Sequence, residues 1–352
     1  MNPVRFILYS VFFSLILCGS SYGLTNGSQG FSGGSGDVRG KETPPRAGEN
    51  VNDPGRFAAA ASLDYDIQGI ELGDLSYGNR GLSYLRDREL YAAARFSFRG
   101  AGLSARIGVS DMDRPRYRKI SDFMVQASYF SPVAGAEVYY RRAGRYRIAD
   151  SPFGTGKLWN QTRQGSSVNF ESAGLNLFLF MKDLSSLNRD YSYGAAFEQS
   201  GRHEKSAGSF ILLAGANYQR IHSPVPLVPG DTQALGLYRK LFGLTGWRRT
   251  GFSIGIGFAG TLVLPHGFFL APQIGLAFNP SQMEYFTLAG ARKAFRFDSL
   301  RGIGRISAGY DGGRFFTGII VNFEAFIIPT NRYKAELWTG DLSAGFFSGF
   351  RV

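Results

Sequence analysis

The sequence predicts an all-β fold, a closed antiparallel β-barrel of about 12–14 strands, and three observations predict it. Glycine makes up 47 of 352 residues and aromatic side chains 15%, whereas glycine averages about 7% in soluble domains. From Phe57 onward apolar side chains return at every second position, the period of a strand rather than a helix. Connections alternate between tight glycine turns and long polar excursions. Charged residues are 19% and mean hydropathy is −0.11, which excludes a bundle of transmembrane helices. The 44% hydrophobic content is also too high for a disordered chain.

The elements follow in order. Residues 1–23, MNPVRFILYSVFFSLILCGSSYG, begin with basic Arg5, continue as an apolar run from Phe6 to Leu17, and end in small residues with Ser21 and Gly23 at the −3 and −1 positions. This is the pattern of an export signal cleaved after Gly23, and the run is too short to remain as a spanning anchor. Cys18 in LILCGSS offers a lipoprotein site as the alternative, with bulky Leu17 where a small residue is expected. As the one cysteine, it forms no intramolecular disulfide. Residues 24–56 are rich in Gly, Ser, Pro and charge and read as a flexible linker, since they have too little apolar surface to offset the entropy of ordering.

In 57–68 the odd positions are Phe57, Ala59, Ala61, Leu63, Tyr65 and Ile67, and the even ones include Ser62, Asp64, Asp66 and Gln68. One face is apolar and the other polar. The pattern recurs in 89–99, 102–110, 121–130, 135–142, 168–180, 190–200, 207–220, 251–264, 267–278, 300–311, 314–325 and a last strand ending at Val352. Strands of about ten residues match a tilted bilayer crossing. Segment 252–278 has no Lys, Arg, Asp or Glu and resembles a membrane helix at first sight. Pro265, Gly267 and Pro272 would break a helix, and its even residues Phe252, Ile254, Ile256 and Phe258 alternate with Ser253, Gly255 and Gly257. It reads as two strands joined at Pro265-His266-Gly267.

Tight turns at Arg99-Gly100-Ala101-Gly102 and Asp311-Gly312-Gly313 face long excursions at 143–167, 221–250 and 280–299. Short turns on one rim and long loops on the other, with an export signal, point to an outer-membrane barrel. A soluble sandwich, its apolar face turned inward and its turns evenly spaced, is the alternative. The thirteen segments conflict with closure, which needs an even number. Either a further strand lies around Thr232–Tyr238, or one segment is a loop extension. Leu342, Ala344, Phe346, Phe350 and Val352 share one face of the last strand.

Segment 191–210, Tyr-Ser-Tyr-Gly-Ala-Ala-Phe-Glu-Gln-Ser-Gly-Arg-His-Glu-Lys-Ser-Ala-Gly-Ser-Phe, resembles the best-marked part of domain-of-unknown-function family 4421, uncharacterised outer-membrane barrels of Gram-negative bacteria. Lys119-Ile-Ser-Asp-Phe123, Val138–Tyr146, the turn at Arg99-Gly100 and the terminal Gly-Phe-Arg are further points of similarity. His203 and Val352 depart from it, where Gln and Phe are expected. The resemblance spans roughly residues 57–352 and implies an outer-membrane barrel without a known activity.

Polar residues assigned to the wet face are Asp64, Asp66, Arg95, Arg99, Arg106, Glu137, Arg141, Glu198, Asn217, Gln219, Gln273 and Arg305. They imply either cross-barrel ion pairs that fill a structural lumen or a pore for small or anionic solutes. The net charge of +12 suggests anionic partners, yet no basic helix, zinc-ligand set or single-strand-binding motif supports nucleic acid. Loop clusters Arg114, Arg116, Arg118 and Lys119, and Arg141, Arg142, Arg145 and Arg147, suit lipopolysaccharide phosphates, which arginine grips bidentately. The expected partners are therefore outer-membrane lipids, together with the barrel insertion machinery during assembly.

A lipid-A-modifying enzyme or a surface adhesin is the rival class. His203-Glu204-Lys205-Ser206 is its weak motif, because His203 and Ser206 lie three apart where an alternating strand does not align a base with a nucleophile. His222 and His266 have no partners at ligand spacing, so neither a metal nor a cofactor is implied. The Gly-x-Gly strings at 255–257 and 302–304 fall inside strands and are not phosphate loops.

Overall fold

The computed structural model describes residues 57–74, 80–86, 89–109, 122–144, 146–149, 168–181, 191–199, 201, 205–227, 243–290, 293–330 and 335–352. The export signal, the linker, and the strand considered around Thr232–Tyr238 lie outside these residues.

Among the described residues fourteen strands form one sheet: β1 (Phe57–Asp74), β2 (Arg80–Arg86), β3 (Glu89–Phe98), β4 (Ala101–Gly108), β5 (Phe123–Phe130), β6 (Ala134–Ala143), β7 (Tyr146–Ala149), β8 (Asn169–Met181), β9 (Ala207–His222), β10 (Leu244–Val263), β11 (Phe268–Thr287), β12 (Lys293–Asp311), β13 (Phe315–Thr330) and β14 (Ala335–Arg351). Every neighbouring pair is antiparallel. The sheet closes where β14 pairs with β1 from Ala58↔Arg351 to Asp74↔Ala335. Among the described residues closure leaves no free edge within the ring itself, the condition for backbone to cross a bilayer, and the one edge strand, β7, lies outside the ring and pairs with β2 alone.

Twelve strands make the ring. β2 extends the place of β3 along β1, from Gly69↔Leu85 to Asp74↔Arg80, while β3 covers Phe57↔Phe98 to Asp66↔Glu89. β7 pairs with β2 and so passes over the ends of the short β4–β5 hairpin. The wall is low at β4 and β5, 8 residues each, and tall at β10 and β11, 20 residues each.

One expected strand is not a strand. Residues 190–200 read as alternating, but Gly194–Glu198 form a π-helical turn with all five residues buried, and this resolves the odd strand count. The excursion expected at 280–299 is mostly sheet, since β11 runs to Thr287 and β12 starts at Lys293. Similarly, β10 begins at Leu244 inside the expected 221–250 loop and β7 lies inside 143–167.

The expected faces are observed. Outward side chains of β10 are among the most exposed apolar groups of the molecule, with Phe252 at 72%, Ile254 at 68% and Ile256 at 68%. Leu63, Leu103, Val138, Leu179, Ile319 and Phe346 continue the same belt around the ring. From Phe252 to Leu262 the strand rises roughly 33 Å at 3.3 Å per residue, about 25 Å of height after tilt, which is the thickness an outer-membrane belt needs. The chain has the architecture of an outer-membrane barrel.

Both described chain ends, Phe57 and Val352, meet at one rim, where Val352 N–H donates to the Phe57 carbonyl at 2.9 Å. Four of the five connections on that rim are tight. Between Phe98 and Ala101 a two-residue turn places Arg99 at φ 49° and Gly100 at φ 80°, the double positive φ that matches the twist of the two strands.

The inside is layered. Near the tight-turn rim Phe130, Phe178, Phe180, Phe269, Phe316 and Phe347 point inward and pack with Tyr191, Tyr193 and Phe197. Toward the opposite rim Tyr84, Tyr146, Phe170, Trp247, Met283 and Phe326 form a second apolar layer. A polar layer lies between them.

Candidate functional site

The site is the barrel interior and the segment that fills it. Between β8 and β9 the chain turns back into the lumen, and Tyr191, Tyr193, Ala195–Glu198 and Gln199 are all buried there. The small run Gly194-Ala195-Ala196 lets backbone lie close to the wall. Gln199 N–H donates to the Gly194 carbonyl, and Gln199 leaves the turn at φ 55°. Tyr193 is the hub of this plug: its ring centroid lies 4.5 Å from Phe130, 5.2 Å from Phe178, 5.5 Å from Phe180 and 4.8 Å from Phe197.

Polar bonds tie the plug to four parts of the wall. The Tyr193 hydroxyl donates to Gln273 Oε1 at 2.6 Å and accepts from Arg305 Nη1 at 3.1 Å. Arg305 also pairs with Glu137 at 3.0 Å. Arg95 Nη1 donates to the Phe197 carbonyl at 3.1 Å, and Arg95 Nε lies 4.0 Å from the Glu198 carboxylate. Arg351, on the last strand, donates from Nε to the Gln199 carbonyl at 2.9 Å, pairs with Asp311 at 2.6 Å and stacks 4.6 Å from the Phe316 ring. Burial pushes the Glu198 carboxyl above its ordinary range, against the opposing pull of Arg95.

Above the plug a cavity of about 200 Å³ is lined by Asp64, Arg106, Glu137, Arg141, Arg301 and Asp341, among others. Arg141 is paired with both Asp66 and Asp341. Arg106 lies 3.6 Å from Asp64 and 3.9 Å from Asp66. Arg301 pairs with Glu324 at 2.7 Å and donates to Asn176 at 2.9 Å. Across the described wall and plug, Arg95, Arg106, Arg141, Arg249, Arg301 and Arg305 face Asp64, Asp66, Glu137, Glu198, Glu324 and Asp341. Guanidinium and carboxylate groups therefore interleave around this layer rather than separating by sign.

Toward the tall rim, fully buried Arg249 lies 3.9 Å from the Phe326 ring centroid and donates to Asn217 at 3.2 Å. Asn217 in turn donates to Asn279 at 2.8 Å, and Asn279 to Ser299 at 2.8 Å. The apolar layer of Trp247, Met283 and Tyr146 packs beyond this network.

Of the residues assigned to the wet face, Asp64, Asp66, Arg95, Arg106, Glu137, Arg141, Asn217, Gln219, Gln273 and Arg305 lie on inward positions of the wall, and Glu198 reaches the lumen from the plug. Arg99 does not: it sits in the exposed turn, its guanidinium 5.1 Å from the Phe98 ring centroid. Of the loop arginines, Arg114, Arg116, Arg118, Lys119 and Arg145 lie outside the described residues, and Arg147 is on β7. Arg142 faces outward, exposed, on β6, whereas its neighbour Arg141 is turned into the lumen and held there by two carboxylates. That geometry removes Arg141 from any external phosphate.

His203 and Glu204 are outside the described residues. Ser206 is exposed, and its hydroxyl accepts from Val263 N–H at 2.9 Å. His222 is the last residue of β9 rather than a loop residue, and His266 is in the β10–β11 turn; both are exposed. Among the described residues no group of three His, Cys, Asp or Glu is placed to hold a metal ion.

The plug and the two aromatic layers are the features of the barrel interior that the sequence pattern does not reveal. One signal was present: 194–199, Gly-Ala-Ala-Phe-Glu-Gln, lacks the apolar–polar alternation of its neighbours.

The family described as Domain of unknown function (DUF4421) matches residues 79–351, and no curated protein matches the chain. Among solved structures, the outer membrane protease OmpT from Escherichia coli is 8% identical, covers 85% of this chain and 98% of its own, and superposes with a TM-score of 0.38. The Pseudomonas putida toluene transporter TodX is 7% identical over 85% of this chain and 90% of its own, with a TM-score of 0.33. The attachment invasion locus protein Ail of Yersinia pestis is 6% identical over 82% and 98%, with a TM-score of 0.22. These similarities give this chain no activity.

Proposed function

The chain belongs to the family described as Domain of unknown function (DUF4421), and from that premise we propose an outer-membrane barrel that is closed at rest and serves a structural role in the envelope of a Gram-negative bacterium. One observation carries the reading: residues 191–199 fill the lumen with buried side chains and are bonded to the wall through Arg95, Gln273, Arg305 and Arg351. In this reading residues 1–23 direct export, residues 24–56 are a linker, and the tight-turn rim faces the periplasm with the tall rim outside. Insertion machinery assembles the chain, and outer-membrane lipids, lipopolysaccharide included, surround it.

The cavity of about 200 Å³ above the plug favours a second reading, passive passage of small solutes, which requires the plug to leave. Planar bilayer recording separates the two. The intact protein is expected to be silent, and replacing 191–199 with a short Gly-Ser linker is expected to produce discrete conductance steps. Frequent large steps from the intact protein would overturn the closed-barrel reading in favour of an open pore.

A further inference from the structure

The outside of the wall carries a charged row at one height on adjacent strands. The registers place Arg142 of β6 opposite Glu171 of β8, Glu171 opposite Arg220 of β9, Arg220 opposite Arg248 of β10, and Arg248 opposite Glu284 of β11. Their chain neighbours Arg141, Phe170, Trp247 and Met283 point inward and are buried, so the row faces out. One layer nearer the belt lie Tyr140, Ala173, Tyr218 and Thr250, and one layer further Val138, Leu175, Ala216 and Phe252. The depth profile therefore runs from apolar through tyrosine to arginine, with the row about 10 Å above Phe252 after strand tilt. Tyrosine and arginine at that depth match the headgroup level of a bilayer.

Two features of the row suit an anionic ligand. Arg220 and Arg248 are direct cross-strand neighbours of like charge, an arrangement that destabilises a sheet and that Glu284 relieves on the Arg248 side alone. Arg248 pairs with Glu284 at 2.6 Å, while neither Arg142 nor Arg220 makes an ion pair with any described residue. Glu171 divides the cations into Arg142 on one side and Arg220 with Arg248 on the other, and Ala173 beneath it opens a notch between Tyr140 and Tyr218. From β6 to β10 the row spans three strand spacings, about 14 Å, more than one phosphate can bridge. A continuous anion would meet the Glu171 carboxylate, whereas a hydroxyl would donate to it.

We propose that this row binds a bilayer glycolipid bearing two separated phosphate groups, one at Arg142 and one shared by Arg220 and Arg248, with a sugar hydroxyl donated to Glu171. The proposal rests on the outer-membrane reading and commits to a phosphorylated sugar headgroup rather than a phosphodiester phospholipid. Guanidinium groups grip such phosphates bidentately.

Native mass spectrometry of the folded protein tests it, with diphosphorylated lipid A, the same lipid dephosphorylated, phosphatidylglycerol and inorganic phosphate as probes. Diphosphorylated lipid A is expected to be retained at least tenfold better than the other three, and the triple variant R142Q/R220Q/R248Q to lose that preference. Equal retention of the dephosphorylated lipid or of phosphatidylglycerol overturns the proposal, as does an unchanged preference in the folded triple variant. If the triple variant does not fold, the four-probe comparison on the unaltered protein decides. Insertion into phosphatidylcholine vesicles with no preference for the phosphorylated glycolipid defeats this inference alone, while failure to enter any bilayer defeats the membrane reading as well.

Discussion

Glu137 and Arg305 face each other inside the wall at 3.0 Å, and Arg305 also holds the plug through the Tyr193 hydroxyl. Removing one member of a buried pair strands the other charge, a loss of about 3–5 kcal/mol. Arg305→Met is therefore expected to lower the urea midpoint sharply, and the double variant Arg305→Met, Glu137→Leu to recover part of the loss, since both charges leave together. The Glu198 carboxyl behaves differently, because its burial raises its proton affinity above the unfolded value. Its contribution is full below the ordinary carboxyl range and falls as pH rises toward the raised value. The stability difference between the unaltered protein and Glu198→Gln should accordingly move against the unaltered protein with increasing pH, read from urea curves across pH 4–8; a constant difference would refute the assignment. Individual polar positions such as Asp64 and Arg305 were legible as inward because a period of two sorts them. Arg141 was drawn toward the loop cluster in the linear sequence because Arg142 and Arg145 follow it, and only the closed ring brings Asp66 and Asp341 to its guanidinium.

Strand β10 shows most clearly what alternation establishes. Its outward Ile254 is 68% exposed because lipid, not protein, is its solvent, while Ser253 and Gly255 face the lumen side. Arginine at the bilayer midplane costs about 2–4 kcal/mol and little near the interface. Ile254→Arg is expected to destabilise folding into vesicles by that amount and Thr250→Arg by under about 1 kcal/mol, measured by urea titration of the inserted fraction. Equal costs at the two positions would mean that the belt is misplaced. The same logic failed on 190–200, where Tyr191-Ser192-Tyr193 mimics a strand for three residues and Gly194–Gln199 then abandons the alternation. A strand pattern records two solvents, and a segment surrounded by side chains on every side has only one. The inward phenylalanines at 130, 178 and 347 were hidden for a related reason: an aromatic residue at an inward position is intelligible only once the plug that covers it is in place.

At the scale of the whole barrel, the Arg351 side chain ties the last strand to the ends of β12 and β13 and to the plug. It bonds to Gln199 and to Asp311 and lies over Phe316, one residue before the C-terminal Val352 pairs with Phe57. Arg351→Ala is expected to leave the ring closed, because β1 and β14 still pair along their whole length, but to loosen the plug. Hydrogen exchange of amides 191–199 should then accelerate at least tenfold while exchange in β10 and β11 stays unchanged; uniform acceleration would make the arginine a general stabiliser instead.

The position of that arginine also sets an order on biogenesis. Part of the pocket that receives residues 191–199 is supplied by strands made after them, through Gln273, Arg305 and Arg351, and Arg351 lies on β14, the strand that closes the ring onto β1. A ribbon that zipped its first and last strands together early would shut the door on its own stopper. Productive maturation must therefore fold the β8–β9 hairpin with its inward loop while the seam is still open, and a pulse-labelled intermediate should show amides 191–199 protected before those of the β1–β14 junction.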